Sequence, residues 1–70
     1  MSIEWKIDGV VRTAEFTGRR HGANFFRSYE LKMRAVTYDA WYGYIDGEMI
    51  GAADTPTEVE SLLLDQFVKP

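Results

Sequence analysis

Trp41-Tyr42-Gly43-Tyr44-Ile45-Asp46-Gly47-Glu48-Met49-Ile50, then Asp54-Thr55-Pro56-Thr57-Glu58 and an apolar-periodic run to Phe67, is the stretch that decides the architecture. Asp46-Gly47 between two strand-like runs signals a hairpin, because a type I′ turn needs positive φ at both central residues. Thr55 then carries a capping box. Its hydroxyl can accept the N–H of Glu58, whose carboxylate can reach back to the Thr55 N–H. Pro56 suits the first helical position, where a missing N–H costs nothing. Asp54, Glu58 and Glu60 sit near the positive end of the helix dipole. Val59, Leu62, Leu63 and Phe67 recur at helical spacing, and Leu64 and Val68 widen the stripe. The expectation is a hairpin followed by an amphipathic helix over 55–68.

Upstream the same logic predicts strands. Ile3, Trp5 and Ile7 alternate with Glu4, Lys6 and Asp8, the period of a half-buried strand. Asp8-Gly9 leads into the β-rich Val10 to Phe16, so residues 1–16 read as an N-terminal hairpin. A two-residue Asp8-Gly9 turn would pair Ile7 with Val10, Trp5 with Arg12 and Ile3 with Ala14, setting Arg12 beside the Trp5 ring. Residues 17–24 (TGRRHGAN) hold two glycines and little apolar content, and read as an exposed basic loop. Tyr29, Leu31, Met33 and Ala35 alternate with Glu30, Lys32 and Arg34, so residues 28–54 supply the central strands and the second hairpin. A turn is expected at Thr37-Tyr38-Asp39.

The sum is an α+β domain. An antiparallel meander of four to five strands carries one C-terminal amphipathic helix across one face. The helix stripe with Ile3, Trp5, Ile7, Leu31, Met33, Trp41 and Ile50 would form the core. Covering one face leaves the other bare, and Tyr42 and Tyr44 share a side opposite Trp41 and Gly43.

Seventy residues make one domain with a thin core and no disulfide to staple it, since cysteine is absent. That composition fits a reducing cytoplasm. No apolar run is long enough to span a bilayer, and Met1-Ser2-Ile3-Glu4 does not resemble a signal peptide. The formal charge of −3 is unevenly spread. Residues 1–34 hold seven basic side chains against four acidic ones, whereas residues 35–70 hold Lys69 against seven acids. Part of this is ordinary solvated surface, and the remainder can steer a charged partner.

No catalytic, cofactor or metal motif emerges. His21, the single histidine, stands in Gly18-Arg19-Arg20-His21-Gly22 with no orienting partner nearby in sequence, as a solvated loop residue does. Arg19, Arg20 and Arg27 could hold an anion or an acidic patch, or simply keep the protein soluble. Tyr42 and Tyr44, flanked in sequence by Asp39, Asp46 and Glu48, have the composition of a protein-binding hot spot. Cross-strand aromatic pairing is the plainer account of them.

The hairpin-then-helix ending, Trp41 to Gly51 and then Asp54 to Glu58, resembles those of very small bacteriophage and prophage accessory proteins. Among these are phage anti-CRISPR proteins of similar size that lack cysteine. The resemblance implies a stoichiometric inhibitor or adaptor that binds a host protein or ribonucleoprotein complex in the host cytoplasm; the residues themselves lead to the expectation of no catalysis, cofactor or membrane, and of a monomer or homodimer. It identifies no functional residue. Two alternatives stand beside it. One is a small nucleic-acid-binding domain using Arg12, Arg19, Arg20, Arg27, Lys32 and Arg34. The other is a structural homo-oligomer paired through an uncovered face or edge.

Overall fold

A computed structural model of the chain describes residues 3–69. Met1 and Ser2, included in the expected 1–16 hairpin, and Pro70 lie outside the described residues. Five strands, β1 (Lys6–Asp8), β2 (Val11–Gly18), β3 (Arg27–Thr37), β4 (Ala40–Ile45) and β5 (Glu48–Ala53), pair antiparallel in chain order. One helix, α1 (Pro56–Leu64), follows and lies chiefly over β4 and β5. The fold is α+β, a meander sheet backed by a C-terminal helix.

The second hairpin forms as its residues dictate. Asp46 has φ 51° and Gly47 φ 83°, the two positive values of a type I′ turn. Asp46 tolerates this because its carboxylate is anchored. It accepts the Glu30 N–H at 2.9 Å and an Arg27 N–H at 2.7 Å. Its own N–H donates to the Glu30 carbonyl at 2.9 Å.

The first hairpin closes one position later than expected. Asp8 pairs with Val11 and Ile7 with Arg12, so the turn is Gly9-Val10, and the pairings of Ile7 with Val10, Trp5 with Arg12 and Ile3 with Ala14 do not form. Gly9 alone has positive φ, 62°, the requirement for the first central residue of a type II′ turn. Among the described residues Asp8 has no clamp like that of Asp46 to hold it left-handed. Trp5 consequently precedes β1, and its indole N–H donates to the Glu60 carboxylate on α1. Arg12 stacks on Trp41, 5.0 Å from the ring centroid, and not on Trp5.

Thr55 caps α1 in an extended conformation, its hydroxyl accepting the Glu58 N–H at 3.2 Å, and Pro56 opens the helix. Nine residues are too few for a stable isolated helix, so burial of Val59 and Leu63 must hold it, each worth about 1.5–3 kcal/mol. The expected helix over 55–68 is too long: α1 stops at Leu64. Beyond it the backbone is captured by the loop after β2. His21 donates to the Gln66 carbonyl at 3.1 Å, Val68 donates to the Arg19 carbonyl at 2.7 Å, and Arg20 bridges Phe67. Phe67 still reaches the core, but from this extended segment, with ring centroids 4.7 Å from Phe16 and 5.0 Å from Tyr29.

Tyr29, Leu31, Met33, Ile45, Val59, Leu63 and Phe67 are buried, with Ile3, Trp5, Trp41 and Ile50 packed around them. Ile7, expected inside, is 62% exposed. It lies on the edge strand β1, while α1 covers the opposite end of the sheet. Leu62 is likewise on the rim of the helix contact, 37% exposed. Gly43 marks the point of closest approach. A Cβ there would stand 2.7 Å from a Val59 methyl and 3.1 Å from Leu63. A register shift beside it, with Gly43 opposite Gly51 and Tyr44 opposite Met49, is a β-bulge that leaves Ile50 unpaired and packed on the core.

Candidate functional site

Strand alternation carries the side chains at Tyr42 and Tyr44 away from α1, because Gly43 between them faces it. Both tyrosines therefore stand on the uncovered face, half-buried among their neighbours. Those neighbours are cations. Tyr44 is directly opposite Lys32 and Tyr42 directly opposite Arg34. The Lys32 ammonium lies 5.9 Å from the Tyr44 ring centroid. One strand further, Thr13 pairs with Lys32 and Lys6 with Thr13, so a second lysine extends the same row. Met49 and Ala52 close the rows on β5.

None of the three acids expected to rim the tyrosines stands directly across from a ring. Asp39 sits in the β3–β4 turn, accepting the Thr37 hydroxyl at 2.8 Å. Asp46 and Glu48 lie in and just after the hairpin turn at the other end of β4, Asp46 about 7 Å of strand beyond Tyr44. Asp46 is occupied in holding its turn. The Glu30 N–H first, and the Arg27 guanidinium second, hold its carboxyl below the usual carboxylate range. Glu48 is exposed and pairs with Ile45, on the α1 side of the sheet. Directly across the strands the tyrosines thus meet cations, which their sequence neighbours did not suggest, while Asp8 in the Arg34 row and Glu15, Glu30 and Asp46 beside the Lys32 row put carboxylates on the same face.

The basic residues divide in a similar way. Arg27 is bound to Asp46 at 2.7 Å, which raises its pKa, and its guanidinium lies 3.9 Å from the Tyr29 ring centroid. Arg19 donates to the Ala23 carbonyl at 3.0 Å, and the expected free loop over 17–24 is corrected: β2 runs to Gly18, and the next residues are tied to 66–68. Arg12 is on the covered face over Trp41. Of the six cations considered for nucleic acid, Lys32 and Arg34 alone stand on the open face beside aromatic rings.

Below the lysine row the open face turns acidic. Glu15 and Glu30 are directly opposite each other, and a hollow of about 630 Å³ is lined by Glu4, Lys6, Glu15, Ser28, Glu30 and Asp46. Acid–base work by paired carboxylates requires one of them to be pushed upward. Asp46 is pushed downward. Among the described residues no group of histidine or carboxylate side chains is arranged to hold a metal ion, and no helix is long and apolar enough to cross a membrane.

Sequence reasoning paired Tyr42 with Tyr44 correctly but missed Lys32 and Arg34 as their partners. The signal was available in principle: Lys32 and Arg34 have the same two-residue spacing as the tyrosines, and only the register of β3 against β4 brings the pairs side by side. The chain matches no protein family, no curated protein and no solved structure.

Proposed function

We propose that the protein is a binding module that works by occupying a partner stoichiometrically, without chemistry of its own, through the open face around Tyr42 and Tyr44. One observation carries this reading: two tyrosines and two cations, in facing pairs, stand on a sheet face that no other part of the described chain covers. Aromatic and arginine side chains are the groups from which binding hot spots are built. In its most specific form the module is an inhibitor of a host nucleic-acid-handling complex, and that form rests on the resemblance to small phage proteins.

The test is affinity capture from a bacterial lysate with the tagged protein and with the Tyr42→Ala/Tyr44→Ala double variant. The expected outcome is a set of partners retained by the wild type and lost by the variant, with unchanged far-UV circular dichroism. Equal capture by a folded double variant would remove the tyrosine face from the proposal.

A further inference from the structure

The open face carries two parallel tracks at one period. On β3, Lys32 and Arg34 present charge; on β4, Tyr44 and Tyr42 present rings, each directly across from its cation. Successive same-face positions on a strand are about 7 Å apart, and neighbouring strands about 4.8 Å. We propose that this face binds single-stranded nucleic acid, with bases stacked on Tyr42 and Tyr44 and the adjacent phosphates held by Lys32 and Arg34. The proposal rests on the open-face reading above and names its partner.

The chemistry matches on both tracks. A strand drawn out to about twice its stacked rise of 3.4 Å would set consecutive bases over consecutive rings. Stacking on aromatic side chains tolerates any base, and backbone charge is met by lysine and arginine lying alongside. An acidic protein surface would satisfy the cations too, but a single strand of nucleic acid supplies a planar base and a charge in every repeat unit, matching both tracks at once. A duplex hides its bases and would use the cations alone. Lys6, one row partner beyond Thr13, adds a third positive charge on the side away from the tyrosines. Glu15 and Glu30 beside the lysine row, and Asp8 at the end of the Arg34 row, flank these cations with carboxylates and limit the site to two or three nucleotides.

The direct experiment titrates the full chain into a fluorescein-labelled oligothymidylate of about twelve nucleotides, by anisotropy at low salt. Each of Tyr42→Ala and Tyr44→Ala should weaken binding by about 5- to 150-fold. Tyr44→Phe should retain it, since the ring remains. Two or three phosphate contacts give a slope of log affinity against log salt of about −1.4 to −2.1. Lys32→Gln with Arg34→Gln should weaken binding strongly, whereas Arg19→Gln with Arg20→Gln, which removes the same charge away from the face, should weaken it far less.

Absence of binding at low salt would overturn the proposal, as would indifference to the tyrosine variants. Equal competition by polyglutamate would assign the face to an acidic protein surface instead, and equal affinity for duplex of the same length would reduce it to a phosphate contact without stacking. Tyrosine-dependent self-association in sedimentation would give the face to a second copy. If the oligonucleotide fails while lysate capture remains tyrosine-dependent and nuclease-resistant, the nucleic-acid assignment falls and the binding face stands.

Discussion

Asp46 is the residue in which sequence and fold are most tightly joined. A non-glycine at φ 51° needs local compensation, and Asp46 obtains it from the Glu30 backbone and the Arg27 side chain. It therefore serves the turn, and its exposure at the surface does not make it free to bind. Its acidity gives a test. With the carboxyl held below its ordinary value, Asp46 contributes stability that is present above about pH 4 and is lost as pH falls through the depressed value. Asp46→Asn keeps a side chain that tolerates the left-handed turn but removes the titration. Urea midpoints measured from about pH 6 to about pH 2 should show the gap between wild type and variant closing as pH falls. A gap constant with pH would mean that the carboxylate charge plays no part in holding the turn.

Among the elements, the contact of α1 with β4 depends on the missing side chain at Gly43. A glycine inside a strand costs backbone entropy, and here it yields room for Val59 and Leu63 to seat directly on the sheet. Gly43→Ala should lift the helix and destabilise the protein by about 1–3 kcal/mol, read from denaturant midpoints. Gly51→Ala is the matched control, because its Cβ would meet Leu62 at an ordinary 3.5 Å and should cost less. Equal losses in the two variants would place the cost in strand propensity and not in helix approach. The bulge at the same place serves the same end, turning Ile50 onto the core while Met49 stays with Tyr44. Capping and apolar spacing made α1 and its start legible from the residues. Its end was not legible, because the apolar period continues through Phe67 and Val68 without a glycine or other stop signal. What ends the helix is the backbone of residues 19–21, distant in sequence, competing for residues 66–68.

Over the molecule as a whole, a sheet of five strands is wider than one nine-residue helix can cover. Beyond the strands that α1 contacts, Phe67 packs on Phe16 and Tyr29, while Ile3 and Trp5 also pack on the core, Trp5 reaching Glu60 of α1. Phe67 is thus a keystone for a region the helix does not reach. Phe67→Ala should cost about 3–5 kcal/mol, comparable with the whole stability of a domain this small. The near-UV circular dichroism of that variant should collapse at 25 °C, and a native spectrum would show that Phe16 and Tyr29 repack without it. With one helix on one side, no element among the described residues covers the opposite face, which is why any function carried by this chain is expected at its surface.

Local rules settled the α+β class, the meander, the Asp46-Gly47 turn, the Thr55 cap and the sidedness of Tyr42 and Tyr44. Each follows from φ preferences, side-chain alternation or hydrogen bonds within a few residues. Long-range pairing settled the rest: the one-position slide of the first hairpin, the early end of α1, the exposure of Ile7, and above all the basic partners directly across from the tyrosines. Charge proximity along a strand differs from charge proximity across a sheet, where neighbours about 4.8 Å away belong to another strand. Only the register of β3 on β4 could set Lys32 beside Tyr44 and Arg34 beside Tyr42.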